Sequence, residues 1–113
     1  MTDAAAQALA RSVLLAAEPQ LFVADIAASC AFYTAKLGFS VAFIYGDPPF
    51  YGQVFRDGAR LNLRCVPAPV LDPRRRDQED LLSAAITLDD AKPLFLEYQA
   101  AGVAFHQTLR AEP

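Results

Sequence analysis

The sequence predicts an α+β fold made from two copies of one strand-helix-strand unit, and three observations carry the prediction. Asp25 to Gly38 and Asp89 to Gly102 each span 13 positions, with an acidic residue placed to cap a helix and a glycine placed to stop it. The two units lie 64 residues apart, and at that offset Phe22 meets Ile86, Val23 meets Thr87, Phe32 meets Leu96, Phe39 meets Val103 and Val41 meets Phe105. Between them, Asp57-Gly58 separates two strand-like runs and suits the positive φ angles of a tight hairpin turn. Strand, cap, helix, stop and next strand recur in the same order, which points to an internal duplication.

The elements follow in order. Residues 4–17 are rich in Ala and Leu, with Leu9, Val13 and Ala16 at helical spacing, so residues 1–17 read as an N-terminal helical extension ended by Pro19. Leu21 to Ala24 is a short strand, and Asp25 caps a helix whose inner face carries Ile26, Cys30, Tyr33 and Leu37. Phe39 to Tyr45 is a second strand, broken by Gly46-Asp47-Pro48-Pro49. Tyr51 to Arg56 and Ala59 to Val66 form the hairpin. Residues 67–82 form a solvated connector in which Asp72, Asp77, Glu79 and Asp80 offset Arg74, Arg75 and Arg76. Ala84 to Leu88 is then expected as a strand, Asp89 or Asp90 as a helix cap, Ala91, Leu94, Phe95 and Tyr98 as a helix face, and Val103 to His106 as the start of another strand.

Composition limits the function. With 54% apolar residues, a 113-residue chain can build one core. A net charge of −3 lacks the basic footprint of a nucleic-acid binder, and no apolar run approaches a membrane span. No nucleic acid and no membrane are therefore expected as partners. Asp3 stands where a secretory leader needs basic residues. Cys30 and Cys65 have no CxxC spacing and read as buried thiols in a reducing compartment, so a cytoplasmic location is expected.

Leu21-Phe22-Val23-Ala24-Asp25-Ile26, Ser29, Phe32-Tyr33, Leu37-Gly38-Phe39, Pro48-Pro49-Phe50-Tyr51-Gly52 and Arg56-Asp57-Gly58 resemble the opening module of the vicinal oxygen chelate superfamily, which includes glyoxalases, bleomycin-resistance proteins and extradiol dioxygenases. The resemblance covers about Glu18 to His106 and is closest in style to the metal-independent, bleomycin-resistance-like members. It implies two βαβββ modules forming a curled mixed sheet with helices outside, usually within a homodimer. Module one would occupy residues 18–66 and module two residues 83–113, the latter lacking its last hairpin, as in a truncated chain. The resemblance also implies metal-ligand positions at Glu18, Asn62 and Ser83; one carboxylate, one amide and one hydroxyl make a weak donor set, so no metal and no other cofactor is expected.

The chain's only histidine, His106, cannot form a His-based triad or a two-His metal motif, and Cys30 lies on a core-facing helix side. No catalytic residue is assigned. In the hairpin, paired numbers sum to 115, so Gln53 faces Asn62 and Tyr51 faces Arg64. Alternation puts Ala59, Leu61, Leu63 and Cys65 towards the helices and Arg60, Asn62 and Arg64 on the other face with Tyr51, Gln53 and Phe55. Glu18, Gln20 and Phe22 join that second face; Phe43 and Tyr45 fit either the cleft or a dimer core. The candidate ligand-binding residues are Phe22, Tyr51, Gln53, Phe55, Asn62 and Arg64. The expected function is metal-independent binding of a polar, partly aromatic small molecule in a dimer cleft. The alternatives are a divalent-metal-dependent lyase, isomerase or dioxygenase of the same superfamily, and a structural dimer module.

Overall fold

The computed structural model describes residues 10–110. One four-stranded sheet organises the first half: β1 (Gln20–Val23), β2 (Ser40–Gly46), β3 (Pro49–Arg56) and β4 (Ala59–Cys65), in the spatial order β1-β4-β3-β2. Helix α1 (Ile26–Lys36) crosses from β1 to β2 and covers one face. Asp25 caps α1 by accepting from the Ala28 amide at 2.9 Å, and Gly38, at φ 74°, ends it. The Tyr33 carbonyl accepts from the amides of Leu37 and Phe39, which turns the chain into β2.

The hairpin has the expected register. Tyr51 pairs with Arg64, Gln53 with Asn62, Val54 with Leu61 and Arg56 with Ala59, around Asp57 at φ 50°. β4 also pairs in parallel with β1, placing Leu21 beside Leu63 and Phe22 beside Arg64. The core is the helix-facing side of this sheet: Val54, Leu61 and Leu63 pack with Ile26, Cys30 and Phe39. Gly52 is buried there too, because a Cβ on it would stand 3.6 Å from Ile26 and 3.8 Å from Ile44, so the backbone can lie directly beneath α1.

β2 and β3 pair antiparallel with an irregularity. Val41 pairs with Val54, yet Phe43 pairs with Gln53, so two steps on β2 match one on β3, a β-bulge at Ala42. From Phe43 onward the bulge exchanges the faces of β2.

The second half repeats the helix but not the strands. Helix α3 (Ala91–Ala100) is capped by Asp90, whose carboxylate accepts from the Lys92 amide at 3.1 Å, and Gly102, at φ 77°, follows it. The expected strands at Ala84–Leu88 and Val103–His106 pair with nothing: among the described residues, these segments belong to no ladder. The reason is physical. β1 is held by β4, whereas among the described residues no segment stands beside Ala84–Leu88 or Val103–His106 in that way. A strand without partners leaves its backbone groups to water.

Two further expectations need correction. Residues 11–17 of the expected N-terminal extension form no helix, and residues 1–9 lie outside the described residues. The segment's apolar side has no surface to pack on; Val13, Leu14 and Leu15 are exposed, and short isolated helices are marginal in water. The connector is exposed as expected but carries the short helix α2 (Pro73–Glu79), with Asp72 as its cap, proline in its first turn, and an Arg75–Glu79 ion pair one turn apart.

The two halves meet through polar contacts. Arg56 forms a two-pronged pair with Glu97, with Nη2 donating to Oε1 at 2.9 Å, and its Nη1 also donates to the Leu37 carbonyl. The Tyr98 hydroxyl donates to the same carbonyl, and Lys36 Nζ donates to the Ala101 carbonyl, both at 2.8 Å. The radius of gyration, 18.2 Å, exceeds the roughly 13 Å of a compact chain this size. The buried core is confined to the first half.

Two outcomes follow from this division. Leu63→Ala should lower the free energy of unfolding by about 2–5 kcal/mol in urea titration, whereas Leu82→Ala, in an exposed segment, should change it by less than about 0.5 kcal/mol. The second outcome concerns α3. Arg56 holds the Glu97 carboxyl below its ordinary range and is itself pushed further up, staying charged throughout. A depressed carboxyl stabilises the docked state above its unfolded value, near pH 4.3, and loses that effect as pH falls through the folded value. Amide hydrogen exchange in α3 should accelerate, relative to α1, as pH falls below about 4, after correction for intrinsic rates. Glu97→Gln should remove that added acceleration.

Candidate functional site

The face of the sheet opposite α1 carries the candidate residues, and strand pairing brings them together. Phe22 on β1 lies beside Arg64 on β4, Arg64 opposite Tyr51 on β3, Gln53 opposite Asn62, and Phe55 opposite Arg60. Neighbours in register share a face, so all six expected residues stand on one surface. The bulge at Ala42 settles Phe43 and Tyr45: pairing with Gln53 and Tyr51 puts them on this surface, while Ile44 turns to the helix side opposite Gly52. The rings of Phe43 and Tyr51 lie 5.9 Å apart and those of Phe43 and Tyr45 5.2 Å apart, forming an aromatic wall. Phe22, with 47% of its surface exposed, stands across the sheet from them.

A polar network occupies the middle. Gln53 is only 7% exposed, and its amide is engaged at both ends. Its Nε2 donates to Asn62 Oδ1 at 2.9 Å and to Glu18 Oε2 at 3.3 Å, and its Oε1 accepts from Arg60 Nη1 at 3.2 Å. The Arg60 guanidinium also lies over the Phe55 ring, 5.2 Å from its centre. Arg60 was readable from parity beside Asn62 and Arg64, but its tie to Gln53 was not, since side-chain reach is not encoded in alternation. Glu18, weighed in the sequence only as a metal ligand, joins the same network from the segment before β1.

These residues do not fit a divalent metal. The Gln53 Nε2 group lies between Glu18 Oε2 and Asn62 Oδ1, placing N–H donors where a cation would need the two oxygens to converge. Ser83 lies apart from that pair, on a groove behind the sheet. Among the described residues no group of three His, Cys, Asp or Glu side chains could hold a metal ion.

The remaining reactive groups lie elsewhere. Cys30 is buried in the core, and burial pushes its thiol up, away from the thiolate a nucleophile needs. His106 is exposed, with Nε2 3.0 Å from Asp80 Oδ1. A cavity of about 960 Å³ lies away from the aromatic face, between Leu21, Tyr33 and Leu61 on one side and residues 83–90 on the other. It is the space left where the second half stands away from the edge of the core. The aromatic face is open, and no helix of the described residues is long and apolar enough to cross a membrane.

Comparison with known proteins agrees with this architecture. The chain is similar in structure to a bleomycin resistance determinant encoded on the transposon Tn5, with 23% identity, a TM-score of 0.63, and coverage of 88% of this chain and 73% of that one. It is also similar to the bleomycin-binding protein of bleomycin-producing Streptomyces verticillus, solved with copper(II)-bleomycin, at 25% identity and a TM-score of 0.61, covering 80% of this chain and 66% of the other. A third similar structure is UcmS2, at 22% identity and a TM-score of 0.67, over 90% of this chain and 85% of that one. No curated protein matches the sequence. The model of the Glyoxalase/Bleomycin resistance protein/Dioxygenase superfamily matches residues 14–113, nearly the whole sequence, and the chain belongs to that superfamily.

Proposed function

We propose that this protein binds a polar, partly aromatic small molecule without a metal, holding it against the open sheet face and breaking no bond in it. The observation that carries this reading is the surface itself: aromatic rings at Phe22, Phe43, Tyr51 and Phe55 surround a hydrogen-bonded polar centre at Gln53 and Asn62. Aromatic surface is costly to leave in water, and its combination with a few directed polar groups is the composition of a small-molecule site. The similar bleomycin-binding protein was solved with copper(II)-bleomycin, so that complex is the first ligand to test.

The open face of one chain cannot enclose a ligand by itself. β1 and β2 are both edges of the sheet, with free backbone groups on their outer sides. We infer that a second copy closes the cleft and that the working form is a homodimer. A cytoplasmic location fits the two free cysteines.

Calorimetric titration with copper(II)-bleomycin and a panel of planar heteroaromatic compounds tests the reading. Arg64→Ala should weaken binding by about 1–3 kcal/mol, the scale of a hydrogen bond to a charged group, while His106→Ala should leave it unchanged. A silent Arg64→Ala combined with loss of binding in His106→Ala would move the site off this face. Elemental analysis supplies an independent check. The purified protein should contain well under one zinc, iron, manganese or nickel per chain, and chelator treatment should leave binding of metal-free ligands unchanged; about one tightly held metal per chain would favour the enzymatic alternative.

A further inference from the structure

We propose that Gln53 acts as a polarity lock: it positions Asn62 without touching the ligand, and thereby commits the cleft to planar molecules that present a hydrogen-bond acceptor. This inference rests on the ligand-binding reading above and names its chemical class.

Donor and acceptor identities alone fix the orientation of the Gln53 amide. Arg60 can only donate, and ionised Glu18 can only accept. Gln53 bridges them, with one end of its amide 3.2 Å from the Arg60 Nη1 and the other 3.3 Å from Glu18 Oε2. One orientation satisfies both contacts, Oε1 towards the guanidinium and Nε2 towards the carboxylate. The reverse would set N–H against N–H at one end and oxygen against oxygen at the other. The two charged residues therefore fix the amide, although an isolated glutamine could flip.

Asn62 inherits that choice. It lies 2.9 Å from Gln53 Nε2, so it must offer its Oδ1 there, and its Nδ2 donors are directed elsewhere. Gln53 has spent both N–H groups and its oxygen within the network and is 7% exposed, which leaves it nothing to give a ligand. The next residue on the same face of β4 is Arg64, another donor, between Phe22 and Tyr51 in register. The donors that this polar floor offers between the rings are thus those of Asn62 and Arg64. A carbonyl, N-oxide, phenolate or carboxylate oxygen on a planar ligand satisfies them, whereas a ligand offering only N–H groups leaves them unpaired.

Two neutral bicyclic probes separate this from simple charge attraction: quinoline N-oxide, which accepts, and indole, which donates. Isothermal titration of the wild-type protein should give about tenfold tighter binding of the N-oxide, the scale of one hydrogen bond gained or lost. Gln53→Met frees Asn62 to rotate and should shrink the ratio to about twofold or less, and Asn62→Asp, which presents an acceptor, should invert it. In ¹⁵N spectra of the unmutated protein, the Gln53 side-chain NH₂ should exchange slowly with water, while the Asn62 NH₂ should exchange rapidly and shift on adding the N-oxide. The spectra and Asn62→Asp decide the matter even where Gln53→Met fails to fold. Equal affinities for the two probes in the wild type, or an unchanged ratio in a folded Gln53→Met, would overturn the lock and leave binding at the face standing. No binding of either probe at millimolar concentration, with an unmoved Asn62 signal, would overturn the lock and the binding reading together.

Discussion

Everything in this structure depends on the register of one hairpin. Because Val54 meets Leu61 across β3 and β4, Gln53 must meet Asn62, and the two pairs stand on opposite faces. One face supplies the apolar surface that α1 covers through Ile26 and Cys30, and burial of Val54 and Leu63 leaves them with no exposed surface. The other face is thereby freed of any packing duty and collects the rings and amides. A slip of β4 by one residue would bring Asn62 under the helix and expel Leu61 and Leu63 into water. The hydrophobic term that holds the fold is also what presents the candidate site.

How far the sequence disclosed this can be argued residue by residue. Asp57-Gly58 is a local signal, and with alternation it was enough to predict every pairing of the hairpin and the shared face of Tyr51, Gln53, Phe55, Asn62 and Arg64. Asp25 and Gly38 likewise announced α1, since capping and positive φ are properties of single residues. What stayed hidden was non-local or depended on partners. The bulge at Ala42 has no glycine to mark it, so the faces of Phe43 and Tyr45 were open until the pairing was known. The network of Gln53 joins four residues from three segments, which no spacing rule connects. Ala84–Leu88 has the composition of a strand but no neighbour to become one with, which shows that β structure belongs to a pair of segments and not to either alone. Helix α2 was overlooked because its polar residues bury nothing, though Asp72-Pro73 signalled its start.

The two halves illustrate different ways of joining parts of a fold. Within the first, apolar contacts bind α1 to the sheet and give the assembly its rigidity. Between the halves, the polar contacts are the Arg56–Glu97 pair, one hydrogen bond from Tyr98 to the Leu37 carbonyl and one from Lys36 to the Ala101 carbonyl. Such groups are exposed or half-exposed, and exposed ion pairs stabilise weakly. They set an orientation for α3 more than they hold it, which agrees with the wide groove between the halves. The family resemblance is carried by both halves, but the packed core and the site belong to the first.

The bulge at Ala42 has an evolutionary consequence. Substitutions on the aromatic face alter one side chain at a time, and the core beneath does not register them. A change of length is different in kind. Deleting the one extra residue would let Val41 and Phe43 follow one another opposite Val54 and Gln53, so β2 would become regular while Phe43 and Tyr45 kept the open face and Ile44 the helix side. The aromatic wall is thus buffered against the loss of one residue at that point. Among descendants of such a chain, loss of a residue at the bulge is a change the site can absorb, whereas a change of length elsewhere in β2 must create a new bulge or turn its rings to the other face.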